Sequence, residues 1–567
     1  MPGDQLTEET IQRVFLNATS AKIEEFFSKW NFSNANSTKF GMSEAERNLL
    51  GDEISAKIDN DDLASILLET VRLISRERQG LESLLNENLC DTILKLAGIT
   101  PVVGYPRSVH ALMEAQKCLV NTMFHSAKMR ERFYMNLVNG DQIQRFLSEF
   151  EDSRRENSNI QWIREMNPTQ AAEVWYFYHR IAFIATAMDK GFQRHWADQS
   201  TTVSNILCAA EVCLQKASDD VANLDLLRAN EAMKTFFNVF CHFHGDVPGL
   251  DEKNTHLACR ILRDVICSGI PNDDVIQSAI HALSVPPLPM DLSVLLSDPN
   301  FPIVPLPETI SEEERVHPRD YYVNMTLTEA ILAALDKQLI KAVDLLNSVP
   351  FNQVSPEGNT LVDLSGPYFQ ALARLCVESK YARRYCRIRV LPPLVADEVK
   401  KRPEEHDSLR GRIVRVMMLP STTKEVASEF LFIICKRSVS RMIKYVGFGH
   451  SAGHLANFGL LGQINQPKHA SDSEDSETED YNAVKDNVNP VTGAMYPPDH
   501  GSAMDGMSDA QKEFEAMKLV DAMNKLMDQG LVKPGTIGDD GKVREVSHVL
   551  ELLKDAPEPD TMDSDSD

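Results

Sequence analysis

At 567 residues the chain is too long for a single compact core, so several domains or an extended stack of repeats is expected. Hydrophobic residues make up 43%, enough for a core along most of the length, and only 26 glycines argue against a turn-rich β architecture. The formal charge of −25 repels polyanions, which argues against nucleic acid as a partner and against direct attraction to an anionic membrane.

The opening stretch, Met1 to Arg13, lacks the basic-then-apolar pattern of a secretory leader. No run reaches the roughly 18 apolar residues of a membrane span. The ten cysteines are scattered, with no Cys-x-x-Cys, and several, such as Cys118, Cys267 and Cys435, fall inside apolar helical runs. Reduced core thiols in a cytoplasmic protein are expected, with no metal and no cofactor. Any membrane association would be peripheral, through a partner.

From the N-terminus to about Leu461 apolar residues recur every three or four positions, as at Leu63, Ile66, Leu67, Val71 and Ile74, which predicts helices almost throughout. Arg387 to Leu391 is the nearest approach to a strand, and Pro392 and Pro393 make it a helix end or connector. Glu114-Ala-Gln-Lys-Cys-Leu-Val-Asn121 resembles Glu231-Ala-Met-Lys-Thr-Phe-Phe-Asn238. The offset is close to three units of about 40 residues, the armadillo/HEAT period. Helix pairs of this kind cannot bury their apolar faces alone and must stack, giving an all-α superhelical solenoid with a long face for extended peptides or helices. On such a face the amides of Asn121 and Asn238 can bond the backbone of a guest peptide. The plain alternative is a surface Asn with no role.

Cys241-His242-Phe243-His244 has no matching second half at metal-ligand spacing, so core packing is expected. Phe301 to Pro367 mixes loops, marked by Pro302, Pro305, Pro307 and Pro318, with a helix from Met325 to Asn347. Lys380 to Arg415 holds eleven Lys/Arg against five Asp/Glu, including Arg383, Arg384, Arg410, Arg412 and Arg415. Arg forks match phosphate oxygens, so this stretch is a candidate phosphate-receiving face. Gly447 to Gly453 lacks the strand and the glycine spacing of a nucleotide loop and reads as a turn between repeats.

Gly462 to Met507 loses its large apolar residues and reads as a disordered acidic linker. Within it, Ser471 and Ser476 each have a glutamate three residues on, the substrate pattern of an acidophilic, casein-kinase-type enzyme. Ser508 and Gln511 form a capping box that opens a helix to about Gln529. Phe514, Met517, Val520, Met523 and Met527 line one of its faces, an adaptable docking stripe. A weaker amphipathic run covers Val543 to Leu553, and an acidic tail follows. The predicted organisation is a repeat domain over 1–461, a linker over 462–507, a helix over 508–530 and a tail over 531–567. No nucleophile–base signature is found, so no covalent catalysis is expected.

One ordered set of motifs resembles a known family. It runs through Leu391-Pro392-Pro393-Leu394, Arg402-Pro403-Glu404, Leu409-Arg410-Gly411-Arg412 and Ser428-Glu429-Phe430-Leu431-Phe432. Lys444-Tyr445-Val446-Gly447-Phe448-Gly449-His450, Asn489-Pro490-Val491-Thr492-Gly493 and Glu515-Ala516-Met517-Lys518-Leu519-Val520 complete it. The set is similar to the synembryn family. The resemblance implies a right-handed armadillo/HEAT-like solenoid, chaperone activity for nascent heterotrimeric G protein α subunits, and non-receptor guanine nucleotide exchange. It also implies that a concave groove, with Asn121 and Asn238 as candidates, holds the α subunit's C-terminal helix. Ser471 and Ser476 match the family's phosphorylated segment, and the helix from about Ser508 matches the element that reaches the partner. The rival reading is an armadillo adaptor of the importin or catenin kind, without exchange activity.

Overall fold

The structure, a computed structural model, describes residues 5–16, 18–102, 108–150, 155–215, 223–270, 272–296, 324–347, 361–464 and 478–496. Beyond these it describes positions 507, 508, 510–512, 514, 517, 518, 535–537 and 543–545. The chain divides into two compact units, Met1–Phe301 and Pro302–Asp567, parted inside the proline-marked stretch.

The first unit begins with α1 (Glu8–Phe15), α2 (Ser20–Ser33), α3 (Glu44–Lys57), α4 (Asp61–Ile74), α5 (Leu81–Leu84) and α6 (Glu87–Leu96). It continues with α7 (Val109–His125), α8 (Ala127–Tyr134), α9 (Val138–Glu149), α10 (Gln161–Glu165), α11 (Pro168–Met188) and α12 (Lys190–Ala197). It closes with α13 (Thr202–Gln215), α14 (Asn223–Phe240), α15 (Glu252–Cys267), α16 (Asp273–Leu283) and α17 (Leu292–Leu295). Local chemistry sets many of the starts: Ser43 and Glu46 form a full capping box on α3, and Asn167, Pro168 and Gln170 do the same for α11. The helices pack as two rows. One row runs α2, α4, α7, α11, α14, α16, each against the next. The other includes α1, α3, α6 and α8, then α9, α13, α15 and α17. The core lies between the rows, where Phe133, Phe146, Tyr178, Phe192, Trp196 and Phe236 are fully buried. Such side chains contribute roughly 1.5–3 kcal/mol each on burial.

The second unit holds α18 (Thr326–Asn347), α19 (Gly366–Glu378), α20 (Lys380–Val390), α21 (Leu409–Met418), α22 (Thr423–Ile434), α23 (Val439–Val446) and α24 (Phe448–Asn457). Two carboxylates on α18 gather the others: Glu329 accepts from the Tyr385 hydroxyl at 2.8 Å and pairs with Arg389, while Asp336 accepts from Arg412 Nε at 2.8 Å. Arg387 to Leu391 is the last turn and C-cap of α20. Gly447 to Gly453 is not a free turn: Gly447 alone breaks the helix, and Phe448 onward is the body of α24.

Residues 478–496, expected within a disordered linker, are ordered on this unit. They form α25 (Glu479–Asn482) and a two-strand ribbon, β1 (Val488–Asn489) with β2 (Ala494–Met495). The Thr478 hydroxyl donates to the Leu394 carbonyl at 2.6 Å, and the Asp480 carboxylate accepts from the Ala396 amide at 2.9 Å. Tyr481 is buried beneath the Lys444 ammonium. Val543–Glu545, at the start of the weaker amphipathic run, is β4, paired antiparallel with β3 (Gly535–Ile537).

Candidate partner-binding face

In the first unit the solvent-facing side of the α4–α7–α11–α14 row carries a ladder of charges linking each helix to the next. Arg72 on α4 donates to Glu114 on α7 at 2.8 Å, Lys117 on α7 reaches Glu173 on α11 at 2.8 Å, and Arg180 on α11 reaches Glu231 on α14 at 2.9 Å. Burial works against the Lys117 ammonium, but Glu173 and Glu114 outweigh it and hold its pKa above the usual lysine value. Burial pushes the Glu231 carboxyl up, against the pull of Arg180 and Lys234.

This ladder revises the repeat. Glu173 stands 59 residues after Glu114 and 58 before Glu231, so the offset seen in the sequence is two structural steps, not three of about 40. Sequence reading missed the middle copy because its companions differ: Val174 stands for Ala, Tyr176 for Lys and Arg180 for Asn. Only the glutamate, whose place is fixed by an ion pair across the row, survives as a signal.

Asn121 and Asn238 lie half-buried on this same face. Asn121 Nδ2 donates to Ser75 Oγ at 3.3 Å and more weakly to the Arg72 carbonyl at 3.5 Å. Asn238 Nδ2 donates to the Phe183 carbonyl at 3.2 Å and Thr186 Oγ1 at 3.4 Å. Each amide therefore ties its helix to the preceding one in the row. Their Oδ1 atoms accept no hydrogen bond among the described residues, so each amide keeps one acceptor for a guest. Asn31, not singled out by sequence, also joins two helices of the row, but it is buried and ties α2 to the next one, donating to the Ile66 carbonyl at 3.1 Å and accepting from Thr70 Oγ1 at 2.9 Å. Its surroundings share no Glu-Ala-x-Lys pattern, which is why it was silent. Aromatic rings fill the spaces between the charges: Phe124 is exposed, and Tyr176, Phe177, Phe183 and Phe237 are half-buried.

The five arginines expected to receive phosphate, all in the second unit, divide into two kinds. Arg410 and Arg412 are buried, which removes them from the surface role expected of them. Arg412 is held by Asp336 and by Asp407 at 2.6 Å. Arg410 lies 3.7 Å from Glu398, and burial lowers its pKa. Arg383, Arg384 and Arg415 are half-buried. Arg383 donates to the Cys376 carbonyl at 2.8 Å, and Arg415 to the His406 carbonyl at 3.3 Å. Ser471 and Ser476 lie outside the described residues.

The capping box at Ser508 is present: Gln511 Oε1 accepts from the Ser508 amide at 3.1 Å, and Ser508 Oγ accepts from the Gln511 amide at 3.4 Å. Residues 510–512, 514, 517 and 518 are helical, with Phe514 and Met517 strongly exposed. Val520, Met523 and Met527 lie outside the described residues. His242 and His244, expected in the core, are exposed in the turn that follows α14. Among the described residues no group of His, Cys, Asp and Glu is placed to hold a metal ion, and no helix is long and apolar enough to cross a membrane. Eight of the ten cysteines are buried.

A sequence model of the family described as guanine nucleotide exchange factor synembryn matches residues 67–542. The chain belongs to the synembryn family. Among its relatives, a protein of Caenorhabditis elegans named "Chaperone ric-8" is 62% identical, the match covering 100% of both chains. A zebrafish (Danio rerio) protein named "Chaperone Ric-8A" is 30% identical over 92% of each. Among solved structures, the chain is similar to one described as "A conserved phosphorylation switch controls the interaction between cadherin and beta-catenin in vitro and in vivo", with a TM-score of 0.40 and 11% identity over 86% of this chain and 78% of that one. Three of the motifs that carried the synembryn resemblance in the sequence meet in space. The Gly447-Phe448-Gly449 corner receives the Asn489-Pro490-Val491-Thr492-Gly493 turn, and Gly493 sits against Pro403 of the Arg-Pro-Glu motif.

Proposed function

We propose that this synembryn-family chain is a chaperone and non-receptor guanine nucleotide exchange factor for heterotrimeric G protein α subunits. The observation that carries the reading is the full-length, 62% identity to a protein named a chaperone, within a family named for nucleotide exchange. The row face of the first unit, with Asn121 and Asn238, holds the α subunit's C-terminal helix. The helix that opens at Ser508, with its stripe of Phe514, Met517, Val520, Met523 and Met527, adds a second grip on the same partner. The chain acts in the cytoplasm and at the cell cortex.

The mechanism is differential binding. A protein that holds the nucleotide-free α subunit more tightly than the GDP-bound one must weaken GDP by the same factor. Sequestering the terminal helix loosens the packing beneath the guanine base. Rebinding of GTP restores that packing and expels the exchanger. No bond is made or broken, so the work is done by contact surface. The same grip keeps a nucleotide-free fold from aggregating, by mass action on its folded state. Phosphorylation of Ser471 and Ser476 by an acidophilic kinase adds charge that Arg383, Arg384 and Arg415 receive.

The test is release of labelled GDP from a purified α subunit titrated with this chain. Accelerated release that requires the α subunit's last helix is the expected result. Binding of extended peptides with no change in release rate, and no gain in α-subunit folding yield, would favour a plain armadillo adaptor.

A further inference from the structure

We propose that Arg180, with Phe124, Phe183 and Glu231 around it, forms a subsite that reads a carboxylate on the guest polypeptide. The inference rests on the reading above, that the row face of the first unit holds such a guest, and it adds where on that face the guest's negative charge is placed.

The first observation is a departure from the pattern. At the station where α7 and α14 carry Asn121 and Asn238, α11 carries Arg180. A neutral amide that ties two helices together is replaced by a cation, half-buried on the same face.

The second is how the guanidinium is held. Its Cζ lies 5.9 Å from the ring centroid of Phe124 and 5.4 Å from that of Phe183. Aromatic rings at this range steady a guanidinium without using any of its N–H groups. Asn238 in turn fixes the carbonyl of Phe183. Of the guanidinium nitrogens only Nη1 is engaged among the described residues, donating to Glu231 Oε1 at 2.9 Å. The remaining N–H groups form a positioned fork of the geometry a carboxylate accepts.

The third is the charge balance. Glu231 is almost fully buried, its Oε2 has no hydrogen-bond partner among the described residues, and both Arg180 and Lys234 (Nζ at 3.8 Å) face its one engaged oxygen. Two cations thus stand around one carboxylate. Toward α4 the ladder is reversed, with Glu69, Glu114 and Glu173 around Arg72 and Lys117. The face therefore has an electropositive end at α11–α14, and an acidic group on the guest sets the guest's direction along it.

The experiment uses the full chain and a fluorescent peptide spanning the C-terminal helix of a G protein α subunit. The peptide is made with a free C-terminal carboxylate, with a C-terminal amide, and with its acidic side chains replaced by their amides. A charge-assisted fork of this kind predicts that removing the recognised carboxylate weakens binding by about tenfold or more. The form that loses affinity tells whether the terminal or a side-chain carboxylate is read. Arg180→Gln is expected to erase the difference between the forms, and Arg145→Gln, on an exposed pair of α9, to leave it intact. Arg180→Lys keeps the charge without the fork and is expected to retain only part of it, which keeps the test open if Arg180→Gln folds poorly. Equal binding of all three peptides, or an unchanged preference in both Arg180 variants, would overturn the subsite while leaving the guest reading in place. No binding of any form, together with no acceleration of GDP release by the unaltered chain, would remove the guest reading and the subsite with it.

Discussion

The backbone amide of Gly449 donates to the carbonyl oxygen of Val491 at 2.9 Å, and Phe448 does the same to Pro490 at 2.8 Å. The first-turn N–H groups of a helix have no partner inside it. Here the donors of α24 are met by a turn from beyond the acidic segment, so the chain after that segment completes the helix before it. Gly447, at φ +81°, makes the approach possible: a Cβ there would lie 2.9 Å from the Val491 oxygen. Gly447→Ala is expected to destabilise the second unit by roughly 1–3 kcal/mol, through strain at a backbone region that suits glycine. Gly453→Ala, inside α24 with open space around it, is expected to stabilise by roughly 0.5–1 kcal/mol. Urea unfolding of the two variants checks both signs, and equal effects would contradict this account of the junction.

His179 predicts an acid limb of stability. It is fully buried beside Trp175, neither ring nitrogen has a hydrogen-bond partner among the described residues, and burial first, then the charge of Arg228, lowers its pKa to about 3. An unfolded histidine titrates near 6.5. Below that pH the unfolded chain takes up a proton that the native one refuses, so stability falls toward acid. Above it the term is constant. The slope from this one residue is about 1.4 kcal/mol per pH unit between the two values. His179→Leu should flatten the fall of the urea midpoint between neutral and acid pH relative to the unaltered chain. An identical profile in both proteins would show that the residue is not buried neutral.

Arg412 separates a structural arginine from a phosphate receiver. It is buried, and bonds both Asp336 and Asp407. Removing one partner of a buried pair strands the other. Since Asp407 is exposed and Asp336 about a third exposed, the loss expected for Arg412→Gln is roughly 2–3 kcal/mol. Arg383→Gln, with one bond to a carbonyl, should cost no more than about 1 kcal/mol. Thermal unfolding ranks them, and the reverse order would return Arg412 to the surface role.

Lys436 and Arg437 follow the last turn of α22 at φ 56° and 55°. Their amides bond the carbonyls of Ile433 and Phe432, the two bonds of a Schellman motif in which glycine usually takes the first position. A side chain in that conformation costs roughly 1–2 kcal/mol. Lys436→Gly is expected to raise the melting temperature, less whatever the lysine charge contributes at the helix C-terminus. A lower melting temperature would mean that the side chain outweighs the strain.

The sequence by itself determined the helices, most of their starts and the acidic skew of the last hundred residues. These are properties of a few neighbouring residues: apolar spacing, and capping pairs such as Ser43 with Glu46 or Ser508 with Gln511. The motifs that mark the synembryn family were legible for the same reason. Only the tertiary structure decided which arginines are exposed, because the burial of Arg412 depends on Asp336, a residue 76 positions away. It alone showed that 478–496 is ordered, since that segment has too few apolar residues to fold unaided and gains its partners from Leu394, Ala396 and α24. It alone revealed Arg180 at the asparagine station, because a station in a stacked row is defined by contact with the neighbouring helix, which local periodicity does not encode.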